Sequence, residues 1–113
     1  MATRYHISLP DTAKAHAAGE FAFRSRGAEG LAEELQAALR TDALFQRWRA
    51  AQADPDAVDP ALGATDPAAT VRGEPHDLRT DLIVVTSIPG AVFKQRLRLL
   101  AGSAWELRDV RDA

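Results

Sequence analysis

Apolar residues recur along this chain with two different periods, and each change of period marks an element. Tyr5, Ile7 and Leu9 alternate with His6 and Ser8, the repeat of a half-buried strand, which Pro10 closes. The alanine-rich stretch from Thr12 to Glu20 suits a loose helical turn or an irregular loop. Phe21, Phe23 and Ser25 then alternate with Ala22 and Arg24, which suggests a second short strand. From Ala28 the repeat becomes helical. Leu31, Leu35 and Leu39 form an apolar stripe with Ala32 and Ala38 beside it. Glu29, Glu33 and Glu34 occupy its early turns and Arg40 its end, as the helix dipole favours. Thr41-Asp42 reads as a cap opening a further helical segment with Leu44, Phe45, Trp48 and Ala51 on one face, so a break is expected near Thr41.

Three Asp-Pro steps follow: Asp54-Pro55, Asp59-Pro60 and Asp66-Pro67. A residue before proline is pushed out of the α region, so residues 53–68 are expected to form a long extended loop. Thr70 to Gly73 reads as a brief strand. The run Leu82-Ile83-Val84-Val85, within Leu78 to Ile88, is apolar on both faces and marks a central strand. Pro89-Gly90 opens a helix that turns Val92, Phe93, Leu97 and Leu100 inward, and Gly102 suits its C-terminal end. Trp105 and Leu107 alternate with Glu106 and Arg108 in a last strand.

This order predicts one α+β domain over residues 1–113. Its sheet is antiparallel or mixed, with four to five strands and two main helices on one face. The best match is the ferredoxin-like βαββαβ arrangement. At 113 residues there is no room for two independent cores.

Composition narrows the function classes. The formal charge of −2 supplies no general attraction to nucleic acid or membrane, and no apolar run approaches a membrane span. The chain has no cysteine, which excludes disulfides, thiolate nucleophiles and cysteine-based metal sites. With no signal-like start, this suits the cytoplasm. The 23 alanines and 12 arginines against 2 lysines suit a GC-rich bacterial coding bias.

No catalytic, nucleotide or metal motif stands out. His6, His16 and His76 lie in separate segments without metal-ligand spacing, and read as surface imidazoles. The acidic loop lacks the glycine and glutamate of a calcium loop. Ser25, Ser87 and Ser103 have no nucleophile-elbow context. No metal or cofactor is expected, and the strongest strand carries no aromatic residue for stacking RNA bases.

Two functions compete. The first is a non-catalytic interaction or regulatory module, a homodimer or the binder of a protein partner, with Tyr5 and Trp105 as interface anchors. The second is a small enzyme or ligand-binding domain with a pocket near residues 74–81. There His76, Asp77 and Asp81 are the catalytic candidates, with His76 as general base and Arg79 orienting an anionic substrate. The strand-to-helix junction Thr86, Ser87 and Gly90 is a further candidate, because free N–H groups at a helix start hold anions.

Overall fold

The computed structural model describes residues 2–113. The elements run β1 (Thr3–Leu9), α1 (Thr12–His16), α2 (Ala28–Arg40), α3 (Ala43–Ala50), β2 (Thr70–His76), β3 (Arg79–Thr86), α4 (Gly90–Ala101) and β4 (Glu106–Asp112). The strands form a four-stranded sheet in the order β2-β3-β1-β4, with every neighbouring pair antiparallel. Each helical crossover skips one strand: the connection from β1 to β2 passes over β3, and that from β3 to β4 passes over β1.

The alternation in β1 and β3 divides the sheet into two faces. Tyr5, Ile7, Leu9, Leu82 and Val84 are buried in one core with Leu31, Leu35 and Leu39 of α2 and Phe93 and Leu97 of α4. Tyr5 stacks on Phe93 with ring centroids 4.4 Å apart. Burying side chains of this size contributes about 1.5–3 kcal/mol each. The opposite face carries Arg4, His6, Ser8, Asp81, Ile83 and Val85, in cross-strand register with one another.

The structure contains no strand at residues 21–25, contrary to the alternation there. The reason is where the amides go. The Glu34 carboxylate accepts from the N–H groups of Arg24 and Ser25, and Phe23 N–H donates to Leu100 O at 2.8 Å. Phe23 is buried in the core as the pattern implied, but from a loop and not from a strand. His16, read as a free surface imidazole, bonds through Nε2 to Ser25 O.

The break at Thr41 is real: Thr41 is extended, and its hydroxyl donates to Ala37 O at 3.0 Å. The Asp-Pro segment is less extended than expected. Pro55 and Pro60 each open a short 3₁₀ turn, Pro55–Ala57 and Pro60–Gly63, while the preceding aspartates take non-helical backbone angles. Proline thus restricts the residue before it, and its own fixed φ suits the start of a turn.

Candidate functional site

On the open face of the sheet, Asp81 of β3 lies opposite Ser8 of β1, and His6 is two residues from Ser8 on the same face. The β2–β3 hairpin pairs His76 with Arg79 and Glu74 with Asp81. Register therefore gathers His6, Ser8, Glu74, His76, Arg79 and Asp81 into one cluster. His6 Nε2 and His76 Nε2 lie 3.2 and 3.5 Å from Asp81 Oδ2, and Arg79 Nε lies 3.1 Å from Oδ1.

Burial pushes the Asp81 carboxyl up, but His6, the Ser8 hydroxyl and the Arg79 charge together outweigh it and hold it below its ordinary range. The contacts are close in distance but poorly aligned. His6 Nε2, Ser8 Oγ, Arg79 Nε and Asp81 Oδ1 are all buried without a directed hydrogen bond. His76, Arg79 and Asp81 thus meet, whereas Asp77 does not join them. It takes the left-handed conformation (φ 53°) in the hairpin turn, beside the fully projecting Leu78.

Sequence reading left His6 outside this group. Its signal was present in the alternation that put His6 on the polar face, but only the β1–β3 register brings it to Asp81. Among the described residues no group of three His, Asp or Glu side chains is arranged to hold a metal ion. His6 also lines a shallow hollow of about 240 Å³ with Arg4, Ile83, Asp109 and Arg111.

The strand-to-helix junction is occupied from within the chain. Asp66 Oδ2 accepts from Ser87 N–H at 2.8 Å and from the Thr86 hydroxyl at 3.0 Å, while Oδ1 accepts from Ala68 N–H at 3.0 Å. The Ser87 amide is the main reason the Asp66 carboxyl sits below its ordinary range; burial opposes it, and Thr86 and Ala68 assist. Thr86 and Ser87 therefore hold an anion, and it is the protein's own. Gly90 begins α4 just beyond them, its Cα hydrogens facing the Tyr5 hydroxyl.

The inward stripe of α4 also contains a charge. Arg96 is fully buried. Its guanidinium donates to Ala38 O at 2.6 Å, Leu62 O at 2.7 Å and Ala64 O at 2.9 Å. Burial lowers its proton affinity, and Asp42 offsets part of that. Asp66 and Arg96 thus pin the Asp-Pro segment from two sides. Neither has the geometry of a site open to substrate.

Of the two expected interface anchors, Tyr5 is instead a core residue, buried against Phe93 because β1 turns its odd positions to the helices. Trp105 is half-buried just before β4, and its indole N–H donates to Gly102 O at 2.9 Å. It lines an open hollow of about 580 Å³ with Pro10, Lys14, Ala17 and Ser103.

The largest contrast in exposure falls on β4. All seven of its residues are exposed, and Leu107 and Val110 are 39% and 48% accessible. A bulge at His6/Ile7 shifts the register, pairing Ile7 with Leu107 but His6 with Asp109. Leu107 and Val110 consequently share the helix-side face, although they are three residues apart. Glu106, Arg108, Asp109 and Arg111 form i,i+2 ion pairs along the strand: Arg108 to Glu106 at 3.2 Å and Arg111 to Asp109 at 2.6 Å.

No family model matches the chain, and neither a curated protein nor a solved structure matches it. No helix among the described residues is long and apolar enough to cross a membrane.

Proposed function

We propose that this chain is a non-catalytic protein-interaction module that self-associates through strand β4. One observation carries the reading: the two large apolar side chains left exposed within the sheet, Leu107 and Val110, stand together on an edge strand whose outer side pairs with no strand among the described residues. Such an edge is a template for strand addition. The polar groups that would serve chemistry are otherwise engaged: Asp66 and Arg96 pin a loop, and Asp81 lies against Arg79, His6 and His76.

The strand order and the two one-strand-skipping crossovers support a ferredoxin-like split βαβ reading of the fold, an architecture that carries no activity of its own. The cysteine-free composition supports a reducing compartment, the cytoplasm, and the alanine- and arginine-rich usage supports a bacterial source.

Sedimentation velocity over a wide concentration range tests the reading. Association is expected for the wild type and is lost in the Leu107→Ser/Val110→Ser variant. A wild type that stays monomeric at every concentration overturns it.

The convergence of His6, His76, Arg79 and Asp81 favours a second reading, a ligand-binding domain with these groups at its site. Native mass spectrometry separates the two. A reproducible small-molecule adduct on the wild type that Asp81→Asn abolishes supports the ligand reading, and a bare chain mass counts against it.

A further inference from the structure

We propose that two copies of this chain join antiparallel along β4, about a twofold axis passing between Arg108 and Asp109, so that their sheets run on as one. The inference rests on the β4 reading above and goes on to say which residues meet.

A strand that pairs antiparallel with its own copy is symmetric, so each register is defined by its centre. Centring on Asp109 sets Asp109 against the partner's Asp109 and Leu107 against the partner's Arg111. Centring on Arg108 sets two arginines face to face. A centre between Leu107 and Arg108 opposes Glu106 to the partner's Asp109. One between Asp109 and Val110 opposes Arg108 to the partner's Arg111. Like charges directly opposite are destabilising, and each of these registers contains such a pair.

Registers centred on Leu107 or Val110 also avoid like charges, but the first opposes only Glu106, Leu107 and Arg108 within β4, and the second sets Val110 against itself and Leu107 beyond the strand's end. The register centred between Arg108 and Asp109 avoids them from Glu106 to Arg111 and opposes the two apolar residues to each other. It sets Glu106 against the partner's Arg111, Arg108 against the partner's Asp109, and Leu107 against the partner's Val110.

The faces agree as well, and the bulge is the reason. Directly opposed residues in a sheet lie on the same face. In a regular strand Leu107 and Val110, three apart, would point to opposite faces. Here Leu107 pairs with Ile7 and Val110 with Tyr5, both on the helix side. Glu106 and Arg111 pair with Ser8 and Arg4, both on the open side, and Arg108 reaches Glu106 there. The register therefore places an apolar pair over each end of the seam on one face and its ion pairs on the other. Each ion pair re-uses a side chain that the single chain holds only in an exposed i,i+2 contact. Trp105 comes to stand opposite the partner's Asp112, at the end of the seam.

The chain has no cysteine, so disulfide trapping reads the register cleanly. Opposed Cα atoms about 4.5–5.5 Å apart lie within disulfide reach. The Leu107→Cys/Val110→Cys variant is expected to form a covalent dimer on mild oxidation. Leu107→Cys alone is expected to form none, its two copies being offset by three residues, about 10 Å along the strand. A dimer by sedimentation that traps equally well with the single variant, or not with the double, overturns this register and leaves the β4 reading standing. Absence of any dimer overturns both.

A second measurement guards against cysteine variants that fold poorly. Arg111→Glu is expected to weaken dimerisation at least tenfold, and Glu106→Arg/Arg111→Glu to restore most of it. No ion pair within one chain joins residues 106 and 111, since Glu106 pairs with Arg108 and Arg111 with Asp109. Absence of rescue in a folded variant overturns the register.

Discussion

Strands β2 and β4 are both seven-residue edge strands of one sheet, and the chain treats them differently. At β2 the edge is covered by α2. Val71 N–H donates to the Gln36 side chain at 3.0 Å, so a side chain completes an amide that the ladder leaves free. Ala28 of α2 comes so close to Gly73 that an added Cβ would lie 2.2 Å from its carbonyl oxygen. Arg40, at the end of the same helix, donates to Ala69 O at 2.7 Å, just before the strand. Among the described residues β4 has no such cover. Its seven residues are all exposed, with charges of alternating sign and two apolar residues on one face. An edge closed by its own chain needs specific small residues and side-chain donors. An edge left open is either protected by charge or completed by another chain, and β4 has the residues for both.

The comparison breaks first at Gly73. Gly73→Ala is expected to cost about 3 kcal/mol in denaturant unfolding, because a helix backbone has to move to admit a methyl group. A loss under about 1 kcal/mol would mean that α2 is not held tightly over β2.

The next test lies where the covered side is tied down. Arg96→Met keeps the bulk of the side chain but frees the carbonyls of Ala38, Leu62 and Ala64. A loss of about 2 kcal/mol is expected, with faster amide exchange in residues 60–69 and no change in β4. An unchanged unfolding midpoint would show that removing the desolvated charge compensates for the three bonds.

Asp66→Asn sharpens the same point through pH. The folded carboxyl titrates below its ordinary range, so its stabilisation is fully present above the unfolded value of about 3.9 and is lost as pH falls through the lower folded value. Wild type is therefore expected to exceed the variant by about 1–2 kcal/mol near neutrality, with the two converging below about pH 4. Denaturation midpoints across pH provide the check; a gap that persists at low pH would place the effect in packing. Asp81 is present in both proteins and cancels in the difference.

The smallest effect on stability is expected at the open edge. Leu107→Ser/Val110→Ser should change the stability of the dilute chain by less than about 0.5 kcal/mol, since both side chains are already exposed. A larger loss in thermal unfolding at high dilution would mean that these residues pack within the single chain, and the contrast between the edges would weaken.

Much of the fold was legible because its signals are local. The alternation of Tyr5, Ile7 and Leu9 and the stripe of Leu31, Leu35 and Leu39 became elements with the expected faces buried, and the run Leu82 to Val85 became an inner strand, although only Leu82 and Val84 are buried while Ile83 and Val85 are half-exposed on the open face. Phe21 to Ser25 misled because alternation reports which side chains are buried and not where the backbone amides find partners; here Glu34 takes them. In the candidate cluster, His76, Arg79 and Asp81 lie within one hairpin and could be grouped from sequence proximity. His6 could not, being joined by a register between strands more than seventy residues apart.

What the sequence by itself determined is therefore the period of each segment, the Asp-Pro turns, the break at Thr41 and the absence of thiol chemistry. Tertiary structure alone decided which partners the buried polar groups find. Arg96 stands at helical spacing from Val92, Phe93 and Leu100, inside the apolar stripe that Arg98 avoids, but only the crossover of α4 against α2 and the Asp-Pro segment supplies the three carbonyls that let a charge stay there. Asp66 looks like its fellow turn-forming aspartates, Asp54 and Asp59, until the fold brings the start of α4 beside it. Leu107 and Val110 are on opposite faces by sequence parity and on one face in the sheet, because a bulge is a property of two paired strands. Periodicity is written in neighbours along the chain, whereas burial of charge and strand register depend on neighbours that only folding supplies.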